Sequence, residues 1–209
     1  MLGQVKTQET RSQSTAVGKE PSHKERLLQH GMQLFYANGF HGTTVDAILD
    51  ASGVPKGSFY HHFGSKEAFG QAVLKRYGQF QLDLLEKWAG KPGLSTPDRL
   101  TGYFSAMVDH FVISGYQRAC LFGKFSTEVA ATSDVFRDQL GTDMREWQSR
   151  LRDILAAGQT AGDIRRDRTA DELADGVLAL IQGAFVVALS TRDDASLRAV
   201  CNTIPTLIA

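Results

Sequence analysis

A short segment at residues 56–63 carries side chains suited to contacting nucleic acid. Its first turn offers Lys56, Gly57 and Ser58, which are small or basic and allow a backbone to approach closely. Tyr60 and His61 follow, and both can hydrogen-bond to phosphates or to base edges. Short recognition helices place such N-terminal residues on bases while neighbouring groups fix the register on phosphates. The segment therefore predicts a helix that docks in a major groove. The alternative is a solvated face used for protein contacts.

Three further positions extend this predicted DNA-binding set. Lys66 lies just past the segment and can add a phosphate contact. Thr43 and Thr44 precede a short apolar stretch, where one of them caps a helix, and we include both in the set. Between that stretch and residue 56 stand Gly53, which can take a positive φ, and Pro55, which stops a helix. The pattern predicts two short helices joined by a tight turn, a helix-turn-helix.

A second kind of chemistry is possible at Cys120. Lys124 follows four residues later on the same face of a predicted helix, and Cys120 stands near the N-terminus of that helix. Both features favour thiolate over thiol and hence reactivity. The alternative is that Cys120 is a small buried hydrophobic residue, as free cysteines commonly are. Cys201, the second cysteine, is interpreted as structural or incidental.

Aromatic side chains recur beyond residue 100 and are candidates for lining a ligand cavity. Such a set is often plain hydrophobic core. Ligand sites in helical domains, however, lie between helices and use apolar and aromatic walls. The candidates are Tyr103, Phe104, Phe111, Tyr116, Phe122, Phe125, Trp147 and Phe185.

The sequence offers little for catalysis or metal binding. His110 stands beside Asp109, but neighbours in sequence do not face each other on a helix. An enzyme with Cys120 as nucleophile is the alternative, although no base is positioned for it. His61-His62 lacks the spacing and the cysteine partners of a zinc site. We therefore predict no enzymatic activity, no metal and no cofactor.

The hydrophobic spacing that must position these groups is helical throughout. Apolar residues recur at intervals of three and four, and no segment shows the alternation of a strand. A Gly- and Pro-rich break covers residues 90–97. The expected fold is all-α with about nine helices. We expect a flexible arm at residues 1–20, a three-helix helix-turn-helix domain at residues 21–66, and a helical ligand-sensing and dimerisation domain at residues 67–209.

Two C-terminal segments predict a contact between two copies of the chain. Residues 173–189 are apolar on nearly every side, and small residues such as Gly176 and Gly183 allow another helix to approach. This stretch is too short and too polar for a membrane span. Residues 197–208 form another amphipathic segment. Two such helices per copy predict a symmetric four-helix interface, and packing within one subunit is the alternative.

The charge balance hides an asymmetry between the two ends of the chain. The 209 residues carry 23 Lys and Arg against 23 Asp and Glu, which by itself argues against a nucleic-acid binder. Residues 1–76, however, hold nine basic and six acidic residues, a net charge of +3, and the remainder has −3. The basic end coincides with the predicted helix-turn-helix. Residues 1–20 lack the apolar stretch of a secretory signal, so a cytoplasmic location is expected.

The N-terminal motifs resemble those of TetR-family transcriptional regulators. The resemblance rests on Gly39-Phe40-His41-Gly42-Thr43-Thr44-Val45, on Lys56-Gly57-Ser58-Phe59-Tyr60-His61-His62-Phe63, and on Ser65-Lys66-Glu67. It implies an all-α homodimer that binds a palindromic operator in double-stranded DNA and is released by a small-molecule inducer. It also implies that Thr44 and Lys66 touch phosphate, that residues 56–58 approach base edges, and that Tyr60 and His61 hold the DNA backbone.

A second resemblance covers residues 119–129. This stretch is similar to the start of the sixth helix in a subgroup of the same family near the N-ethylmaleimide-reductase repressor. In that subgroup the cysteine senses electrophiles or oxidants, and Cys120 is the matching residue here. The resemblance therefore implies an electrophile as an alternative inducer.

Overall fold

The computed structural model describes residues 20–209, so the arm predicted at residues 1–20 lies outside the described residues except for its last position. Within residues 20–209 the fold is all-α with nine helices and no strand, which confirms the predicted fold class. The helices are α1 (His23–Asn38), α2 (Val45–Ser52), α3 (Lys56–Phe63), α4 (Lys66–Ala89), α5 (Thr96–Ile113), α6 (Leu121–Glu128), α7 (Asp134–Ala161), α8 (Ala170–Thr191) and α9 (Ala195–Ile208).

Polar side chains cap several of these helices at their N-termini. Ser22 Oγ accepts a hydrogen bond from the Glu25 backbone N–H at 3.2 Å, and Thr44 Oγ1 accepts one from Ala47 at 3.1 Å. Ser65 caps α4 in the same way. Each cap satisfies a backbone donor that has no partner within its helix, which contributes about 1 kcal/mol. The caps therefore fix where α1, α2 and α4 begin.

Helix α4 packs against helices from both halves of the chain. Near its start, the ring of Phe69 lies 5.8 Å from that of Phe35 in α1. Further along, the ring of Tyr77 lies 4.9 Å from that of Phe122 in α6. Beyond these contacts, α4 packs on α5 and α7. Because α4 contributes to both halves, the domain boundary at residues 66/67 stays a proposal.

Helix α8 lies between α7 and α9 in the C-terminal bundle. The sequence predicts burial on nearly every side, but in a single chain one side remains open, with Val186 exposed by 64% and Val187 by 50%. Leu180 and Leu189 are partly exposed as well. Among the described helices, α8 is long and apolar enough to cross a membrane, a test that core helices of soluble proteins also pass. Its opposite side is buried in the bundle, so α8 leaves one apolar face uncovered.

Candidate DNA interface and sensor site

The turn between α2 and α3 is fixed from both sides. Helix α2 ends at Gly53, whose φ of +62° lies in the left-handed region that favours glycine. From α1, the guanidinium of Arg26 donates to the Ser52 carbonyl at 3.1 Å through Nε and to the Gly53 carbonyl at 3.2 Å. These bonds satisfy carbonyls at the end of α2, which have no partner within that helix. The two short helices and α1 therefore form one unit.

Helix α3 turns one face to the core and another to solvent. Phe59 is fully buried, whereas Tyr60 is 46% exposed. Lys56, Gly57 and His61 are exposed as well. Lys56 and Tyr60 are four residues apart, as are Gly57 and His61, so both pairs lie on neighbouring rows of the helix surface. The structure thus brings the predicted residues of α3 together on one open face.

Two side chains of this face have partners on neighbouring helices. Lys56 Nζ lies 3.3 Å from Asp46 Oδ1 in α2, where both side chains are exposed. The half-buried Ser58 has its Oγ 3.1 Å from His23 Nδ1 in α1. An exposed ion pair of this kind contributes about 1 kcal/mol or less. Lys56 is therefore held loosely and can exchange Asp46 for another anion.

The structure shows that Thr43 is buried, contrary to expectation, and that Lys66 packs on an aromatic ring. Thr43 is fully buried, and its hydroxyl donates to the Gly39 carbonyl at 2.7 Å. It stabilises the connection between α1 and α2, so we remove it from the DNA-binding set, while Thr44 is exposed. Lys66 Nζ lies 4.5 Å above the ring of Phe40. Burial lowers the pKa of Lys66, an effect that the nearby Glu128 opposes.

Cys120 is the N-cap residue of α6 and lies deep in the chain, with only 4% of its surface exposed. The Gln182 side chain of α8 donates to its sulfur, with Nε2 and Sγ 3.3 Å apart. The hydroxyls of Tyr36 and Tyr77 lie nearby. Burial raises the pKa of both phenols, and a thiolate at the neighbouring Cys120 would raise it further. Cys120 therefore stands at a helix N-terminus, as predicted. It is also buried, as the alternative interpretation predicts.

Lys124 does not face the Cys120 sulfur, although its spacing predicts that it would. Its ammonium donates to the Tyr36 carbonyl in α1 at 2.9 Å, so its charge is engaged there instead of facing the Cys120 sulfur. Sequence reasoning missed Gln182 as a partner of that sulfur. The available signal was a glutamine inside an otherwise apolar stretch, where an amide needs a hydrogen-bonding partner.

Most of the predicted cavity aromatics are core residues. Tyr103, Phe104 and Phe111 are fully buried and line neither of the two cavities described here. A contact between these three and a ligand therefore stays a prediction. Phe122 and Trp147 do line a cavity of about 550 Å³ between α4 and α7. Of the other aromatics considered, Phe185 lines a second cavity of about 720 Å³.

The second cavity adjoins the cysteine. Its walls come from α1, α4, α5, α8 and the α5–α6 connection. Tyr36 and Tyr77, the two phenols beside Cys120, line it, and so does Ala119, the residue that precedes the cysteine. Both cavities fall within the range of volumes that small-molecule sites have in proteins.

Helix α6 connects the cysteine to the DNA-binding half. Its last residue, Glu128, accepts hydrogen bonds from the backbone N–H groups of Phe40 at 2.9 Å and His41 at 2.7 Å. Gly39 has a φ of +74°, and a Cβ there would collide with the Glu128 carboxylate. The ring of Phe125 lies 5.3 Å from that of Phe35 in α1. A displacement of α6 would therefore act directly on the connection between α1 and α2.

This arrangement defines a class of protein: a helix-turn-helix DNA-binding unit joined by α4 and α6 to a helical domain with internal cavities. Residues 27–73 match the family described as bacterial regulatory proteins, tetR family. Residues 96–204 match the family described as tetracyclin repressor-like, C-terminal domain. The chain belongs to the TetR family of transcriptional regulators.

Individual relatives show the same likeness. The chain is 36% identical over 163 residues to the HTH-type transcriptional repressor DhaR of a Mycobacterium species, covering 78% of this chain and 80% of that one. It is 35% identical over 144 residues to the HTH-type transcriptional repressor NemR of Escherichia coli, covering 67% and 70%. The crystal structure of reduced Escherichia coli NemR superimposes with a TM-score of 0.81 at 31% identity, covering 90% of this chain and 97% of that one.

Proposed function

We propose that this regulator is a repressor that binds a palindromic operator as a homodimer and leaves it when a small molecule enters the cavity or modifies Cys120. The observation that carries the DNA-binding part is the exposed face of α3, held by Arg26 and by the buried Phe59. The relatives DhaR and NemR are named repressors, which supports the direction of control. A cytoplasmic location follows from binding chromosomal DNA.

The contacts with DNA divide into two kinds. Lys56, Gly57 and Ser58 approach base edges from the first turn of α3. Tyr60, His61, Thr44 and Lys66 contact the phosphate backbone and fix the register. The lysines and arginines of residues 1–76 give this end of the chain its net charge of +3, which favours approach to DNA.

Replacing Gly57 by alanine is expected to separate stability from DNA binding. A Cβ at this helical position would meet no atom within 4 Å, so the change relieves the entropic cost of glycine and stabilises the fold by about 0.5–1 kcal/mol. On DNA the same methyl group occupies the space where the backbone approaches the bases. Operator affinity should therefore fall about tenfold, or 1.4 kcal/mol. Urea denaturation and fluorescence anisotropy with labelled operator measure the two effects.

Gly141→Ala in α7 is the matched control for Gly57→Ala. Its Cβ would meet only the flexible end of the Arg145 side chain, at 3.2 Å. We expect a change in stability of similar size and sign, with no change in operator affinity. Equal affinity for operator in the Gly57→Ala and the unchanged protein would show that this part of α3 does not face DNA.

The dimer forms through α8 and α9. The open side of α8 carries Leu180, Val186 and Val187, and a Cβ added at Gly176 or Gly183 would meet no atom within 4 Å. An apolar face with small residues suits close packing against the same helix of a second copy. The two α3 helices would then lie about one DNA turn, roughly 34–36 Å, apart. Release from the operator follows when ligand binding favours a dimer geometry with another spacing.

Modification of Cys120 is the second route to release. The sulfur is packed among Gln182, Tyr36 and Tyr77, so an added group needs space that the site does not have. Cys120 begins α6, and α6 ends at Glu128 on the backbone between α1 and α2. An adduct therefore moves α6, and α6 moves the DNA-binding unit.

The partners of Cys120 do not support a role as a catalytic nucleophile. Its partners in the structure are an amide and two phenols with raised pKa, and neither group serves as a general base near neutral pH. Within residues 20–209, no group of three or more His, Cys, Asp or Glu side chains is placed to hold a metal ion.

A further inference from the structure

The cavity of about 720 Å³ beside Cys120 has an unequal distribution of charge. None of the fifteen described residues that line it is acidic, whereas Arg76, Arg118 and His110 line it from three different segments. The guanidinium of Arg76 is paired with Glu25 of α1, outside the lining set. For Arg118, the part of the chain that the structure describes provides no ion pair. Within residues 20–209, the guanidinium of Arg118 therefore gives this wall a positive charge without a paired carboxylate.

The backbone of Arg118 is fixed at this wall, and its side chain is exposed. Its backbone N–H donates to Ser114 Oγ at 2.9 Å, which ties the α5–α6 connection to the end of α5. Its charge acts on the Tyr36 hydroxyl, because it opposes the rise in the Tyr36 pKa that burial causes. Arg118 and Tyr36 both line this cavity, so a guanidinium and a phenol are available there, and together they suit a carboxylate.

The rest of the lining is largely apolar. Met32, Met107, Phe80, Ile113 and Phe185 contribute thioether, aromatic and aliphatic surface. Phe80 is 47% and Ile113 82% exposed, so the apolar wall extends to the mouth of the cavity. Methionine side chains adapt to ligands of irregular shape. Such a wall binds the apolar body of a ligand and does not select for polar groups on that body.

We infer that this cavity binds a small organic anion, a carboxylate with an apolar body, whose charged group pairs with Arg118. This inference rests on the proposed ligand-responsive function and names the chemical class of the ligand. In contrast, the cavity between α4 and α7 is lined by Lys75 together with Asp143 and Glu146, and so shows no preference for an anion. The bound carboxylate would lie one wall away from the Cys120 sulfur, since Tyr36 and Tyr77 separate the two.

The test compares carboxylates with amides of the same shape, using the full-length chain and calorimetric titration. The pairs are propionate and propionamide, hexanoate and hexanamide, and phenylacetate and phenylacetamide. We expect at least one carboxylate to bind about tenfold more tightly than its amide, because only the carboxylate forms a charge-assisted bond to Arg118. Arg118→Met should reduce that preference to about twofold, and Arg118→Gln should do the same.

Arg145→Met is the matched control, since Arg145 is an exposed arginine of α7 that lines neither cavity. It should keep the preference for the carboxylate. The inference is overturned if no carboxylate binds at millimolar concentration, if each amide binds as well as its carboxylate, or if both Arg118 variants keep the full preference. Operator binding is measured on the same preparations without ligand. A chain that binds operator but no carboxylate would overturn the inferred ligand class alone, whereas a chain that does not bind operator would overturn the proposed DNA-binding function.

Discussion

The Val186→Asp chain should be a monomer at micromolar concentration and should no longer bind operator DNA measurably. Val186 is 64% exposed in the single chain and lies on the open apolar face of α8. In the proposed dimer this face meets its own copy across a two-fold axis, so each substitution places a carboxylate in an apolar interface.

The size of this effect follows from the cost of burying charge. An uncompensated buried carboxylate costs about 3 kcal/mol or more, and a two-fold interface contains it twice. Two such costs amount to a weakening of the dimer by roughly ten-thousandfold. A monomer carries a single α3, so it loses the paired contacts with the two half-sites of a palindrome.

Light scattering after size exclusion measures the mass, and anisotropy measures operator binding. Val135→Asp is the matched control, because Val135 is 47% exposed in the first turn of α7, away from the proposed interface. That variant should remain a dimer and bind DNA normally. A dimer of unchanged stability in the Val186→Asp chain would contradict an interface through α8.

The Cys120→Ser chain should bind operator as the unchanged protein does but should not be released by N-ethylmaleimide. In the unchanged protein the maleimide adduct must displace Gln182 or the phenols around the sulfur. Overpacking of a filled core costs about 1–3 kcal/mol. If the protein relieves this strain by moving α6, the same free energy appears as a fall in operator affinity of roughly ten- to a hundredfold. Serine is smaller and does not react, so neither the packing nor the DNA-binding unit changes.

Cys201→Ser is the control for this experiment. Burial raises the pKa of Cys201, which lies in α9. This variant should be released by N-ethylmaleimide to the same extent as the unchanged protein. Operator release by N-ethylmaleimide that persists in the Cys120→Ser chain would show that Cys120 is not the sensor.

The elements of the fold followed from local patterns. The caps at Ser22, Thr44 and Ser65 and the helical spacing of apolar residues are properties of short segments, and short segments determine where helices begin and end. The exposed face of α3 was also predictable, because Phe59 and Phe63 mark its buried side. The family resemblance of the N-terminal motifs is confirmed by the match over residues 27–73.

The directions of individual side chains did not follow from the sequence. Thr43 and Thr44 are adjacent and chemically identical, yet one is buried under Gly39 and the other caps α2 in solvent. Lys124 shares a helical face with Cys120, but a carbonyl of α1 lies within its reach and engages it. Tyr103 is of a residue type that is common at ligand sites, but it packs in the core. Its hydroxyl donates to the Gln81 side-chain oxygen at 3.2 Å. These outcomes depend on which helices meet in space.

The most direct test of the account is binding of the full chain to DNA from the region upstream of its own coding sequence, measured by anisotropy at several salt concentrations. The account predicts specific binding of a dimer to a palindromic site. Affinity should fall steeply as salt rises, because lysines and arginines of the DNA-binding unit displace counterions from phosphates. N-ethylmaleimide should weaken the binding roughly ten- to a hundredfold. The contrary result is that the chain binds this DNA no more strongly than unrelated DNA and that Gly57→Ala does not change the binding. That result would show that the helix-turn-helix serves another purpose, and it would contradict the account.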